Sequence, residues 1–190
     1  MLRSNVPRRL PEVLTREEAK ALLKSPNRYY PTGKRDLCMI KLMLNSGLRA
    51  SEVLNLAWRD LDLHTGKLIV RQGKGKKDRQ VWINDETLER LRDWREIGPK
   101  CDICFPTLHG TRMHDGYLRE MIKRQARKAG ITKDVHPHML RHTYATELYR
   151  ESKDIRLVQK ALGHASLSTT MIYTHIVDDD MEHAMRALNI

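Results

Sequence analysis

The chain has 190 residues, enough for one domain with a real hydrophobic core and no need of disulfide staples. Its 35 Lys and Arg against 24 Asp and Glu leave a net charge of +11, which points to a polyanionic partner. A spanning helix needs about 18 uninterrupted apolar residues; none is present and no apolar stretch follows the basic start as in a signal peptide, so nucleic acid is favoured over membrane. The three cysteines, Cys38, Cys101 and Cys104, are an odd number, which argues for a reducing, cytoplasmic compartment. Cys101 and Cys104 form a CxxC, but only the scattered His109 and His114 lie near it, so they read as packed thiols and no metal is expected.

Residues 1–13, with Pro7, Pro11 and the Arg8-Arg9 pair, read as a basic extended arm or linker. A folded domain is expected over 14–177. Thr15-Arg16-Glu17-Glu18 is a capping box, followed by Ala19, Leu22 and Leu23 on one helical face. Leu37, Ile40, Met43 and Leu44 predict a second helix closed by Gly47. A short helical stretch near Glu52 to Leu56 follows. Three short strands are then predicted, at Leu61 to Leu63, Lys67 to Arg71 and Arg79 to Ile83. The first two are joined by a turn at His64-Thr65-Gly66 and the last two by the glycine-rich loop Gly73 to Asp78. From Asn84 onward the pattern is helical. Asn84 or Asp85 caps one helix, Asp115 a second reaching Ala129 before Gly130, and Asp154 a third ending at Leu162 before Gly163. Residues 178–190, with Met181, Ala184, Met185 and Leu188 at helical spacing, read as a C-terminal helix that packs on its own core or on a neighbouring protomer. The expected fold is mainly α with a small three-stranded antiparallel sheet.

Arg49 follows Gly47-Leu48 at a helix junction, where a guanidinium can meet a phosphate beside free amides, although taken alone it reads first as a surface salt bridge to Glu52. His138-Met139-Leu140-Arg141-His142 puts His138 and Arg141 one turn apart on one face, the outline of an oxyanion clamp. His138 and His142 also have metal-pair spacing, but Met139 stands where the zinc-hydrolase pattern has glutamate. Tyr173, in Leu162 to His175, is one of six tyrosines and by spacing alone would be a core residue.

Four motifs in order, GLRxSE at Gly47 to Glu52, GKGxKxR at Gly73 to Arg79, HxLRHTxAT at His138 to Thr146 and LGHxSLSTTxIYTH at Leu162 to His175, resemble the tyrosine site-specific recombinase (phage integrase) family, nearest to its Xer-type members. The resemblance covers the chain from about residue 12 onward. It implies the catalytic domain fold of that family, with Arg49 and Arg141 as catalytic arginines, His138 and His164 as catalytic histidines, and Tyr173 as nucleophile. Lys74 best matches the family's hairpin lysine, with Lys76 next, and Glu52 matches a supporting acidic position. It further implies double-stranded DNA as substrate, a tetrameric synapse of protomers, no cofactor, and location with the nucleoid.

The implied reaction passes a phosphodiester to tyrosine through a 3′-phosphotyrosyl intermediate, in integration, excision or dimer resolution. Fixed cations would carry the charge that grows on the non-bridging oxygens. His138 is the expected acceptor of the phenolic proton, and Lys74 the donor to the leaving 5′-oxygen. Lys76, Lys77 and Arg79 on the hairpin are expected along the DNA backbone; Lys123, Arg124 and Arg127 with Lys128 on one helix are more commonly a solvated face, and here also fit a phosphate-tracking stripe. Two other readings share these residues: a type IB topoisomerase-like or telomere-resolving enzyme, and a non-catalytic DNA-binding module. Family members usually carry an N-terminal clamp domain, so the chain reads as an excised catalytic half in preference to a naturally minimal form.

Overall fold

A computed structural model gives the fold for residues 11–71, 78–164 and 166–186. Over these residues the chain forms eight α-helices and one two-stranded antiparallel sheet, the mainly helical architecture expected, with one strand fewer. The Thr15 capping box forms: its side chain accepts from Glu18 N at 3.1 Å, its own N–H donates to Glu18 Oε2 at 2.8 Å, and α1 (Arg16–Lys24) follows. Just before it, Leu14 N donates to Thr143 Oγ1 at 2.9 Å, which ties the entry of the chain to a helix far along the sequence.

Helix α2 (Pro31–Ser46) starts well before the apolar pattern at Leu37, because Pro31 sets the first turn and Gly33 permits a close crossing. A Cβ at Gly33 would stand 1.9 Å from Asn27 O. Cys38, Met39, Ile40, Leu42 and Met43 are wholly buried, so α2 is the central rod of the core. It packs against α4 (Asp85–Ile97) on one side and α6 (Pro137–Ser152) on the other. Gly47 ends it at φ +62°, and a Cβ there would meet the Tyr144 ring at 2.3 and 2.6 Å. Gly47→Ala therefore combines a left-handed backbone with a clash, and a loss of about 2 kcal/mol or more is expected in urea denaturation. Stability within experimental error of wild type would contradict that packing.

Beyond α3 (Ala50–Leu54), strands β1 (Lys67–Val70) and β2 (Arg79–Trp82) pair with Lys67 opposite Trp82 and Val70 opposite Arg79. Leu61 to Leu63 was expected as a third strand but contributes only a single bridge, Leu61 to Leu68. The cause is local. A 3-10 turn at Trp58–Asp60 runs up to it, and the Asp62 carboxylate accepts from His64 N at 2.8 Å and Thr65 Oγ1 at 2.6 Å, turning the chain at once.

Asn84 caps α4 by accepting from Thr87 N at 3.0 Å. Helix α5 (Asp115–Lys128) has His114, not Asp115, at its N-cap position. Pro137 opens α6, and His136 Nδ1 accepts from Met139 N at 3.2 Å. Asp154 caps α7 (Ile155–Leu162), which Gly163 closes at φ +65°. A 3-10 turn at Leu167–Thr169 leads into α8 (Ile172–Arg186), which runs unbroken through Asp178, where a separate tail was expected to begin. Ala145, Val158, Leu162, Tyr173 and Ile176 of α6, α7 and α8 make a second, smaller core. The CxxC loop is bolted to the main core, with Cys104 N donating to Leu56 O at 2.8 Å and Trp94 Nε1 donating to Cys104 O at 2.7 Å. Among the described residues no three His, Cys, Asp or Glu side chains converge as metal ligands, and no helix is long and apolar enough to cross a membrane.

Candidate active site

The C-terminal ends of α2 and α7 meet the start of α3 around one carboxylate. Glu52, with its side chain 9% exposed, accepts from Arg49 N and Arg49 Nη1, each at 2.8 Å, and from Arg79 Nη1 and Nη2, each at 2.7 Å. Arg141 Nη1 lies 3.9 Å away. Burial pushes the Glu52 carboxyl up, but the Arg79 and Arg49 hydrogen bonds outweigh it and hold the group down at about 2. It is an anion at any physiological pH.

Each arginine around it has a different exposure and a different second partner. Arg79 is 6% exposed, and its Nε donates to Ala161 O at 2.9 Å. Arg141, also buried, donates through Nη1 to Gly47 O and through Nη2 to Leu162 O at 2.6 Å. These carbonyls sit at helix C-terminal ends, where the backbone carries partial negative charge, so buried guanidinium and helix termini compensate one another. Burial, then repulsion from Arg49, pushes Arg141 down to about 10, still cationic at neutral pH. Two of its five N–H groups serve these carbonyls. Arg49 is the outermost of the three, 34% exposed.

His138 and His142 lie one turn apart on α6, flanking Arg141. His138 is exposed, and partial burial, then the charges of His136, Arg119, Arg141 and Arg49, push its titration down. Half-buried His142 and His164 are pushed down to about 4, by burial first and then by neighbouring cationic groups, Arg141 among them. Both are neutral imidazoles at pH 7. His164 Nδ1 lies 3.1 Å from the hydroxyl of buried Thr170, which anchors the turn before α8. Tyr173, in the first turn of that helix, is 1% exposed, and its hydroxyl is 2.9 Å from His142 Nδ1. Burial pushes the phenol up to about 12, against the pull of Arg141 and Arg49. Guanidiniums and neutral imidazoles are groups able to hold an oxyanion, and the buried Tyr173 hydroxyl lies against one of these imidazoles, His142.

The model of the phage integrase family matches residues 12–180. The chain belongs to the phage integrase family. It is 42% identical over 179 residues to tyrosine recombinase XerC of Xanthomonas axonopodis pv. citri (strain 306), covering 93% of this chain and 57% of that protein. This chain thus spans little more than half the length of that relative. A crystal structure of XerH site-specific recombinase bound to palindromic difH substrate, a post-cleavage complex, superposes with TM-score 0.84 at 34% identity, covering 97% of this chain and 55% of that one. The XerA recombinase crystal structure gives TM-score 0.83 at 33% identity, covering 97% and 66%.

Of the residues the integrase motifs single out, the structure gathers Arg49, Glu52, His138, Arg141, His164 and Tyr173 into one electrostatic neighbourhood. Lys74, Lys76 and Lys77 lie outside the described residues. Arg79 was expected on the DNA-facing hairpin and is instead turned inward onto Glu52, because it ends the inward-facing row of β2. On α5, Lys123 pairs with Asp134 at 3.2 Å and Arg124 with Asp36 at 3.6 Å, while Arg127 is exposed. The sequence pattern suggests only a metal-ligand role for His142, yet it, and not His138, holds the Tyr173 hydroxyl. Its sequence signal was spacing: a second histidine one turn from His138.

Proposed function

We propose that this integrase-family chain cleaves and rejoins double-stranded DNA through a 3′-phosphotyrosyl intermediate at Tyr173, in site-specific recombination. The observation that carries the reading is the cluster of Arg49 and Arg141 on Glu52, with the Tyr173 hydroxyl held on His142, the residue next to Arg141. Arg49 and Arg141 hold the non-bridging oxygens of the scissile phosphate. Neutral His138 and His164 act there as hydrogen-bond donors. Tyr173 Oη gives its phenolic proton to neutral His138 as it forms the bond to phosphorus and the bond to the 5′-oxygen breaks, and Lys74 supplies the proton that the leaving oxygen takes. The link conserves the phosphodiester, so religation by the 5′-hydroxyl needs no external energy. A duplex target, assembly of protomers into a tetramer, and cytoplasmic action at the nucleoid complete the proposal. The XerH complex with difH, from a protein of the same fold and 34% identity, supports DNA as the partner.

A nicked suicide duplex that lets the cut fragment diffuse away tests this. Wild type is expected to give a slow-migrating protein–DNA adduct, whereas Tyr173→Phe binds the duplex with wild-type affinity and gives none. Retention of DNA by wild type with no adduct on any cognate site would leave a binding module instead.

A further inference from the structure

We propose that His142 is a positioning residue for Tyr173, its Nδ1 accepting the phenolic hydrogen and holding the nucleophile in the interior until the site is occupied. This rests on Tyr173 being the nucleophile. The geometry is specific. The Tyr173 side chain is 1% exposed and its hydroxyl has one recorded partner among the described residues, His142 Nδ1 at 2.9 Å. The ring centroids are 5.8 Å apart and inclined at 49°, a tilted pair rather than a stack. A phenol so buried needs a hydrogen-bond acceptor, because an unmet O–H away from water is costly.

The charge state of His142 fits that role. Burial first, and then its neighbours on α6, the adjacent Arg141 among them, push its titration down and keep the imidazole neutral. A neutral ring has one N–H and one acceptor nitrogen. With hydrogen on Nε2, Nδ1 accepts from the phenol and both groups are satisfied. With hydrogen on Nδ1, the phenolic hydrogen is left unmet inside the protein. The first tautomer therefore dominates, and in it Tyr173 is a donor with its oxygen turned from solvent. A hydroxyl in that state cannot reach a phosphate of a duplex lying outside.

Release has a defined route. Tyr173 is in the first turn of α8, and Tyr173 N donates to Thr170 O at 3.1 Å in a 3-10-like step. The turn is anchored through Thr170 to His164, itself a proposed phosphate donor. Seating a phosphate on His164 would thus act on the same turn that holds Tyr173. The cleavage rate then equals the rate of the released form multiplied by its population, and loss of the His142 acceptor raises that population.

The test uses the full chain free and on a suicide duplex, with His142→Phe to keep volume without an acceptor and His142→Asn to restore an acceptor near the Nδ1 position. Acetylation of tyrosines by N-acetylimidazole, mapped by peptide mass spectrometry, reports release, with Tyr29 at 96% exposed as internal reference. In wild type Tyr173 is expected to react far more slowly than Tyr29. His142→Phe is expected to speed Tyr173 acetylation roughly fivefold to tenfold, as loss of one hydrogen bond would, and to speed single-turnover cleavage by the same factor. His142→Asn is expected to return both toward wild type. Unchanged acetylation in His142→Phe overturns the proposal, and so does faster acetylation with slower cleavage, which would put His142 in the chemical step. If wild type forms no adduct while acetylation responds as expected, the nucleophile reading fails and the His142 contact stands.

Discussion

Arg141→Lys is expected to slow single-turnover strand cleavage roughly a hundredfold to a thousandfold, the scale of removing one preorganised donor from a charge-stabilising site. It is also expected to lower folding stability by about 2 kcal/mol. The two losses share one origin. Arg141 joins the end of α2 to the end of α7 by donating to Gly47 O and Leu162 O, and a planar fork is needed to reach both. A lysine is a point charge that can satisfy one carbonyl, leaving the other buried and unmet at a cost of about 1–3 kcal/mol. The phosphate-facing N–H groups are then lost together with the geometry that aimed them. Urea denaturation and single-turnover cleavage measure the two effects on one sample. Cleavage within tenfold of wild type would mean that Arg141 is a structural strut alone.

Glu52→Gln is expected to destabilise the protein by about 3–5 kcal/mol, since it removes the carboxylate that three guanidiniums share. Cleavage should fall roughly a hundredfold as Arg49 and Arg141 move out of register. The pH dependence follows from the sign of the shift. The carboxyl titrates at about 2 in the folded chain against 4.5 ordinarily, so its contribution is fully present above about pH 4.5 and is lost as pH falls through about 2. That contribution is about 3 kcal/mol at neutral pH. Denaturation midpoints measured from pH 6 to pH 2 should fall more steeply for wild type than for Glu52→Gln. Parallel curves would show that Glu52 is not the anion of the cluster.

What could be read in the sequence was mostly local. Thr15 with Glu18, Asn84, Asp154, Gly47 and Gly163 each mark a helix end through bonds or dihedrals within a few residues, and each does so in the structure. The site motifs were legible because recombinase-like spacings survive in order. What escaped was contact across distance. Arg79 reaches Glu52 and Ala161, which lie in different elements, and only the register of β1 with β2 turns it inward. Leu61 to Leu63 has strand composition, but Asp62 turns the backbone before a ladder can form. His138 and His142 share a helical face, and only the packing of α8 on α6 decides which of them meets Tyr173.

The covalent link is the most direct test of the account. After reaction with a suicide duplex, nuclease and protease digestion followed by mass spectrometry locates the residual nucleotide. The expected product is a peptide in which Tyr173 carries the nucleotide through its 3′-phosphate, with a free 5′-hydroxyl on the departing strand. A nucleotide on Tyr144, Ser166 or any other side chain, or a 5′-phosphate linkage, would contradict the assignment of Tyr173 as nucleophile.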